Sequence, residues 1–112
     1  TEEEEVRSGH IGELGEYQKD LGHADNFAKK GFDKDALKFF NRARERAEGF
    51  SSKFLIQMCL IKEVWSTDSG SREAVFEEII HNFKELGSDR GVYIWKEKLG
   101  FHLMQKKKIQ EA

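Results

Sequence analysis

Residues 34–48 carry Ala36, Leu37, Phe40, Ala43 and Ala47 on one stripe of helical period, and a glycine, Gly31, stands just ahead of it. That pairing constrains the chain more than any other feature. A single helix through Phe27–Ala47 would spend Gly31 in its interior at a cost of about 1 kcal/mol. A helix that ends at Gly31 and a second that starts after it use the residue where its freedom counts. Asp33 is the expected N-cap of the second helix, which runs from Lys34 to about Glu48 and is ended by Gly49.

The rest of the chain repeats the theme. Of 112 residues none is proline and 36% are charged, which suits helices with solvated outer faces. Few segments alternate with period two, so strands are not expected. Val6, Ile11, Leu14, Tyr17 and Leu21 share a stripe, but Gly9, Gly12, Gly15 and Gly22 weaken it, so the first helix is placed from about Gly15 to Lys30. Residues 1–16 are read as an acidic, flexible or weakly helical segment. Ser51 or Ser52 opens a third helix, "SKFLIQMCLIKEVW", apolar on nearly every side and so expected between neighbours.

"STDSGS" reads as a loop with Ser71 as the cap of the next helix. Arg72 to Leu86 follows, with Ala74, Val75, Ile79, Phe83 and Leu86 inward. "GSDRG" breaks that pattern, and a last helix starts at about Val92 and runs to Lys107 or beyond. The fold class is therefore all-α, with about five helices.

Charge and chemistry narrow the function. The net charge of −2, with Glu45 and Glu48 interleaved in the basic "NRARERA" helix, argues against a nucleic-acid partner. Six glutamates stand against one arginine in residues 1–16, while Lys96, Lys98, Lys106, Lys107 and Lys108 face only Glu97 and Glu111 near the other end. A solvated face is one reading of this asymmetry, and head-to-tail contacts are the other. The single cysteine, Cys59, lies in the apolar helix as a buried, inert thiol, and an intracellular, reducing, cytoplasmic setting is expected. No apolar run reaches membrane-spanning length, and the acidic start lacks the core of a signal peptide. His10, His23, His81 and His102 are scattered, no metal or cofactor motif stands out, and no catalytic constellation is found. An enzyme is not expected.

Phe27, Gly31, Ala36, Phe40 and Ala43 carry residue types and intervals that resemble the tetratricopeptide repeat, a helical hairpin of roughly 34 residues. Small Ala36 and Ala43 let two helices approach, Phe27 and Phe40 fill the space, and Gly31 makes the turn. On this register, units begin near Tyr17, Ser51 and Tyr93, giving 17–50, 51–92 and 93–112 within a domain of residues 17–112. The second unit keeps Phe54, Ile61 and Ala74 but lacks the turn glycine. In the third, Leu99, Gly100, Leu103 and Ala112 fall on family positions, although Leu103 is aliphatic and Lys107 replaces the turn glycine. "KELGSDRGVYIWKEKLG" also looks like the longer repeats of kinesin light chains. The last helix either caps the stack or, as its end at Ala112 where the family would begin a second helix suggests, is the first half of a repeat whose partner was cut away.

The resemblance implies antiparallel hairpins stacked as a short right-handed superhelix, and a non-enzymatic scaffold that binds a peptide or helix in a concave groove. By the family's positions the groove is lined by Leu21, Asp25, Ala28 and Lys29, then Leu55, Cys59, Lys62 and Glu63, then Glu97, Phe101 and Met104. Lys29 and Lys62 would pair a ligand's acids, while Leu55 and Phe101 could equally be packed between helices. Leu21 and Asp25 stand where one subclass needs Lys and Asn to clamp a carboxylate, and Asp25 would repel it. Two other readings stay open: a self-association segment acting through the C-terminal unit, and a trafficking module. For the latter, "ALKFFNRARERA" resembles the second helix of MIT-type domains, but two further helices after residue 70 count against it. Glu2 to Glu5 folding back on Lys29 and Lys62 is a further possibility.

Overall fold

The computed structural model describes the backbone of residues 2–111 and the side chains of residues 12–111. It holds five helices: α1 (Glu2–Lys29), α2 (Asp33–Gly49), α3 (Lys53–Glu63), α4 (Ser69–Glu85) and α5 (Asp89–Glu111), with no strand among the described residues. The chain divides into two compact units, residues 1–66 and 67–112.

One turn chemistry makes three of the four connections. At the end of α1, Gly31 takes φ +82°, its N–H donates to the Ala28 carbonyl, and the Phe32 N–H donates back to the Phe27 carbonyl at 2.9 Å. This satisfies the orphan carbonyls of the last turn, and the edge-on contact between the Phe27 and Phe32 rings closes it with apolar surface. Gly87 at φ +76° repeats the arrangement between α4 and α5, with the Ser88 N–H on the Phe83 carbonyl at 2.9 Å. Between α2 and α3 the left-handed position is taken by Ser51, φ +53°, with the Ser52 N–H on the Ala47 carbonyl at 3.2 Å.

The residue after each left-handed one starts the next helix. Ser52 Oγ accepts from the Leu55 N–H and Ser88 Oγ from the Gly91 N–H, whereas Phe32 offers no side-chain cap. Several expectations are corrected here. Asp33 lies inside α2 rather than capping it; α2 does end at Gly49, but the left-handed residue of the turn comes two positions later, at Ser51. Asp68, not Ser71, caps α4: its carboxylate accepts from the Ser71 N–H at 3.1 Å, so half of "STDSGS" is helix. The Arg72 guanidinium holds the Thr67 carbonyl beside it at 2.8 Å. α5 begins at Asp89 rather than Val92 because Ser88 caps it. α1 begins at Glu2 rather than near Gly15: packing from Tyr17 onward fixes the helix, and extending it costs far less than starting one.

In the first unit α1 and α2 are antiparallel. Buried Ala24 meets Ala36 and Phe40 near the turn, with Phe27 and Phe39 against them. Farther along, Tyr17, Ala43, Ala47 and Cys59 form a second cluster that brings in α3, with Leu21, Leu55 and Ile56 around it. α3 runs antiparallel to α2 and alongside α1. It is not sandwiched on all sides: Phe54 is exposed, and the polar Gln57 and Glu63 are buried in its place.

In the second unit α4 and α5 are antiparallel. Phe76 packs on Trp95 and His102, with ring centroids 5.9 and 5.5 Å away, and Phe83 sits over Gly91. A Cβ on Gly91 would fall 2.5 Å from the Phe83 ring, so the absence of a side chain there sets how closely the two helices approach. The buried face of α4 is Phe76, Ile79 and Ile80, whereas Ala74 and Leu86 are exposed. Phe76 outcompetes the smaller Ala74 for the interior because it removes far more apolar surface from water.

Candidate functional site

The residues expected to line a groove fall on α1, α3 and α5. On the first unit, α1 and α3 lie side by side and are joined twice. The Tyr17 hydroxyl donates to the Leu55 carbonyl at 2.8 Å, and Lys62 Nζ sits 3.2 Å from Asp25 Oδ2. Leu21 and Leu55 are half-buried against the cluster between these helices. Lys62 and Asp25 thus satisfy each other, while Lys29 is exposed at the end of α1.

Cys59 and Glu63 point elsewhere. Cys59 is fully buried, its thiol directed at the Tyr17 oxygen at 3.6 Å. Burial, opposed by that hydrogen bond, pushes the thiol up to about 11, so it is neither a nucleophile nor a contact for a ligand at neutral pH. Burial likewise holds the Tyr17 phenol well above its ordinary range, helped by the Cys59 bond. Glu63 is buried beneath Arg44, whose Nη1 lies 2.8 Å from Oε1.

Two of the arginines in the basic stretch of α2 are therefore structural. Arg44 neutralises Glu63, and Arg46 reaches back to α1 with Nε 2.9 Å from Asp20 Oδ2 and Nη1 3.0 Å from Glu13 Oε2. The Asp20 hydrogen bond raises the Arg46 guanidinium further and keeps it charged. Beside this pair a shallow cleft of about 520 Å³ is lined by Glu13, Arg42, Glu45, Arg46, Gly49 and Phe50. Nearer the α1–α2 turn, Phe27 and Phe39 stack, with His23 and the Arg42 guanidinium on the Phe39 ring at 5.2 Å. The sequence pattern did not single out this cluster, because Phe39 breaks the buried stripe and its partners lie on another helix.

The second unit carries seven of the eleven exposed large hydrophobic residues among the described residues. Trp95, Leu99 and His102 turn toward α4 at helical spacing, which leaves Ile94, Phe101 and Met104 on another side of α5. Phe101 and Met104 are 64% and 59% exposed, and Tyr93 beside them is 65% exposed. Glu97 lies among them; its hydrogen bond raises the Tyr93 phenol. Lys98 stands over the Trp95 ring at 5.5 Å, and Lys107 pairs with Glu111 at 3.8 Å. Tyr93 and Ile94 were not expected in the site, although their seven- to eleven-residue spacing to Phe101 and Met104 was there to be read.

Among the described residues no three His, Cys, Asp or Glu side chains converge as a metal site, and no helix is long and apolar enough to cross a membrane. The fold-back of Glu2 to Glu5 concerns side chains outside the described residues. The chain matches no family model, no curated protein and no solved structure.

Proposed function

We propose that this chain is a non-enzymatic protein–protein interaction module of the tetratricopeptide type, a scaffold that receives a peptide or helix on its helical surface. The single observation that carries the reading is the exposed run Tyr93, Phe101 and Met104 on α5. Aromatic residues and methionine at helical spacing are what an amphipathic helix docks against, and contiguous exposed apolar patches mark interaction sites. The tetratricopeptide reading is supported by the small-residue contact of Ala24 with Ala36 and by α1 and α3 running alongside each other. A buried free thiol suits the reducing cytoplasm, where we place the protein.

A selection from a displayed library of random helical peptides tests it. Peptides with apolar residues at helical spacing and acidic flanks should be enriched, and Phe101→Ser with Met104→Ser should abolish their binding while leaving the melting curve nearly unchanged. Enrichment that survives those substitutions would remove α5 from the site.

A further inference from the structure

We propose that the outer face of α5 receives the acidic N-terminal half of α1 from a second copy of this chain, so that copies join head to tail. The inference deepens the reading of α5 as the interaction face and rests on it. α1 is 28 residues long and α2 only 17. Their antiparallel register sets Glu13 against Arg46 and Tyr17 against Ala47, near the end of α2 at Gly49. Residues 2–12 of α1 therefore run on past α2 for about 16 Å. A Cβ at Gly12 or at Gly15 would meet nothing within 4 Å, so α1 has open space beside it at these two positions.

The overhang has a chemistry of its own. It carries Val6 and Ile11 among Glu2, Glu3, Glu4 and Glu5, with Glu13 and Glu16 following and Arg7 as the one cation. α5 offers the complement: Ile94, Phe101 and Met104 share a helical face with Lys98 and Lys108, Lys107 stands at its edge, and Glu97 and Glu111 are the acids beside them, in a helix whose residues beyond the first turn carry five lysines against these two acids.

Charge selects the pairing. Two α5 faces against each other would set lysines on lysines, and two α1 ends would set glutamates on glutamates. Only α1 on α5 brings opposite signs together, and flanking charges of this kind choose partner and orientation in helix pairs. The contact is heterologous: each bound copy still leaves one α1 end and one α5 face open, so assembly continues beyond a dimer unless it closes into a ring.

Sedimentation velocity on the full chain tests this with two variants. The first carries Phe101→Ser and Met104→Ser; the second carries Glu2→Lys, Glu3→Lys, Glu4→Lys and Glu5→Lys. The wild-type mass should grow past a dimer with concentration, and association should weaken at least about tenfold between low and high salt. Each variant alone should be a monomer, and a one-to-one mixture should give a heterodimer and nothing larger. Should either variant lose its helical circular dichroism, Lys98→Glu with Lys108→Glu serves instead: it should abolish association alone, and combined in one chain with the four Glu→Lys changes should restore it.

A wild type that stays monomeric up to about 1 mM would overturn the proposal. So would self-association of the second variant, which would mean that α5 pairs with itself, or a mixture that remains monomeric. If the chain is monomeric but α5-dependent peptides are still enriched, the occupant is wrong and the face is right. If neither occurs, the reading of the face falls as well.

Discussion

The Tyr17 hydroxyl donates to the Leu55 carbonyl at 2.8 Å and ties α1 to the first turn of α3, thirty-eight residues on. The ring is 3% exposed and the oxygen also receives the Cys59 thiol, so one phenol serves three helices with Ala43 and Ala47 beneath it. Tyr17→Phe keeps the packing and removes the bond. Urea unfolding should show a loss of about 1 kcal/mol with an unchanged slope. A loss near zero would mean that the carbonyl is served equally well by water.

The left-handed turn residues give opposed expectations. Gly31→Ala places a Cβ at φ +82° and should cost about 1–2 kcal/mol. Ser51 already bears that strain at φ +53°, so Ser51→Gly should stabilise by about 0.5 kcal/mol, the relief being partly offset by the freer unfolded chain. Thermal midpoints that move in opposite directions confirm the shared turn; two downward shifts would deny that Ser51 is strained.

Those turns also mark how far the sequence could be read. Gly31 and the stripe Ala36, Phe40 and Ala43 were legible because a glycine stop and a helical period are local signals, and the structure keeps both. Ser51 was not legible, since nothing local says that a serine will take a glycine's conformation two residues beyond Gly49. The inward face of α4 was misjudged at Ala74 because Phe76 fits the same stripe one step over, and only the partner helix decides between them. The burial of Glu63 and Asp20 depended on Arg44 and Arg46 arriving from α2, which no pattern within α1 or α3 encodes. Repeat register assigned Phe101, Met104 and Cys59 alike to a groove, with packing between helices left open for Phe101; Phe101 and Met104 are exposed, whereas Cys59 lies in the core.

The Arg44–Glu63 pair can be separated from simple packing. The Glu63 side chain is 4% exposed, and its carboxylate loses a charged partner at 2.8 Å in Arg44→Met. Leaving that charge buried should cost about 2–4 kcal/mol, while Arg44→Met combined with Glu63→Met should recover most of the loss. A double-mutant cycle from chemical denaturation gives the coupling directly. Additive losses would show that the two residues contribute independently.

The Cys59 thiol makes stability fall with alkaline pH. Its ordinary value is 9.0, and burial raises it in the folded chain to about 11. Above pH 9 the unfolded chain has released a proton that the folded chain keeps, so the folded state binds more protons and stability declines as pH rises. The contribution is complete below pH 9 and gone once pH passes about 11, amounting to at most about 3 kcal/mol. Cys59→Ala lacks this dependence but leaves a small cavity; it retains every lysine, whose titrations cancel in the comparison, and the Tyr17 phenol stays raised chiefly by its own burial. The wild type should therefore be the more stable protein at pH 8, and its advantage should shrink or reverse by pH 11. Denaturant midpoints measured at intervals across that range decide the matter. Parallel curves for the two proteins would mean that the thiol ionises alike in the folded and unfolded chain, and that its contact with Tyr17 leaves it accessible to water.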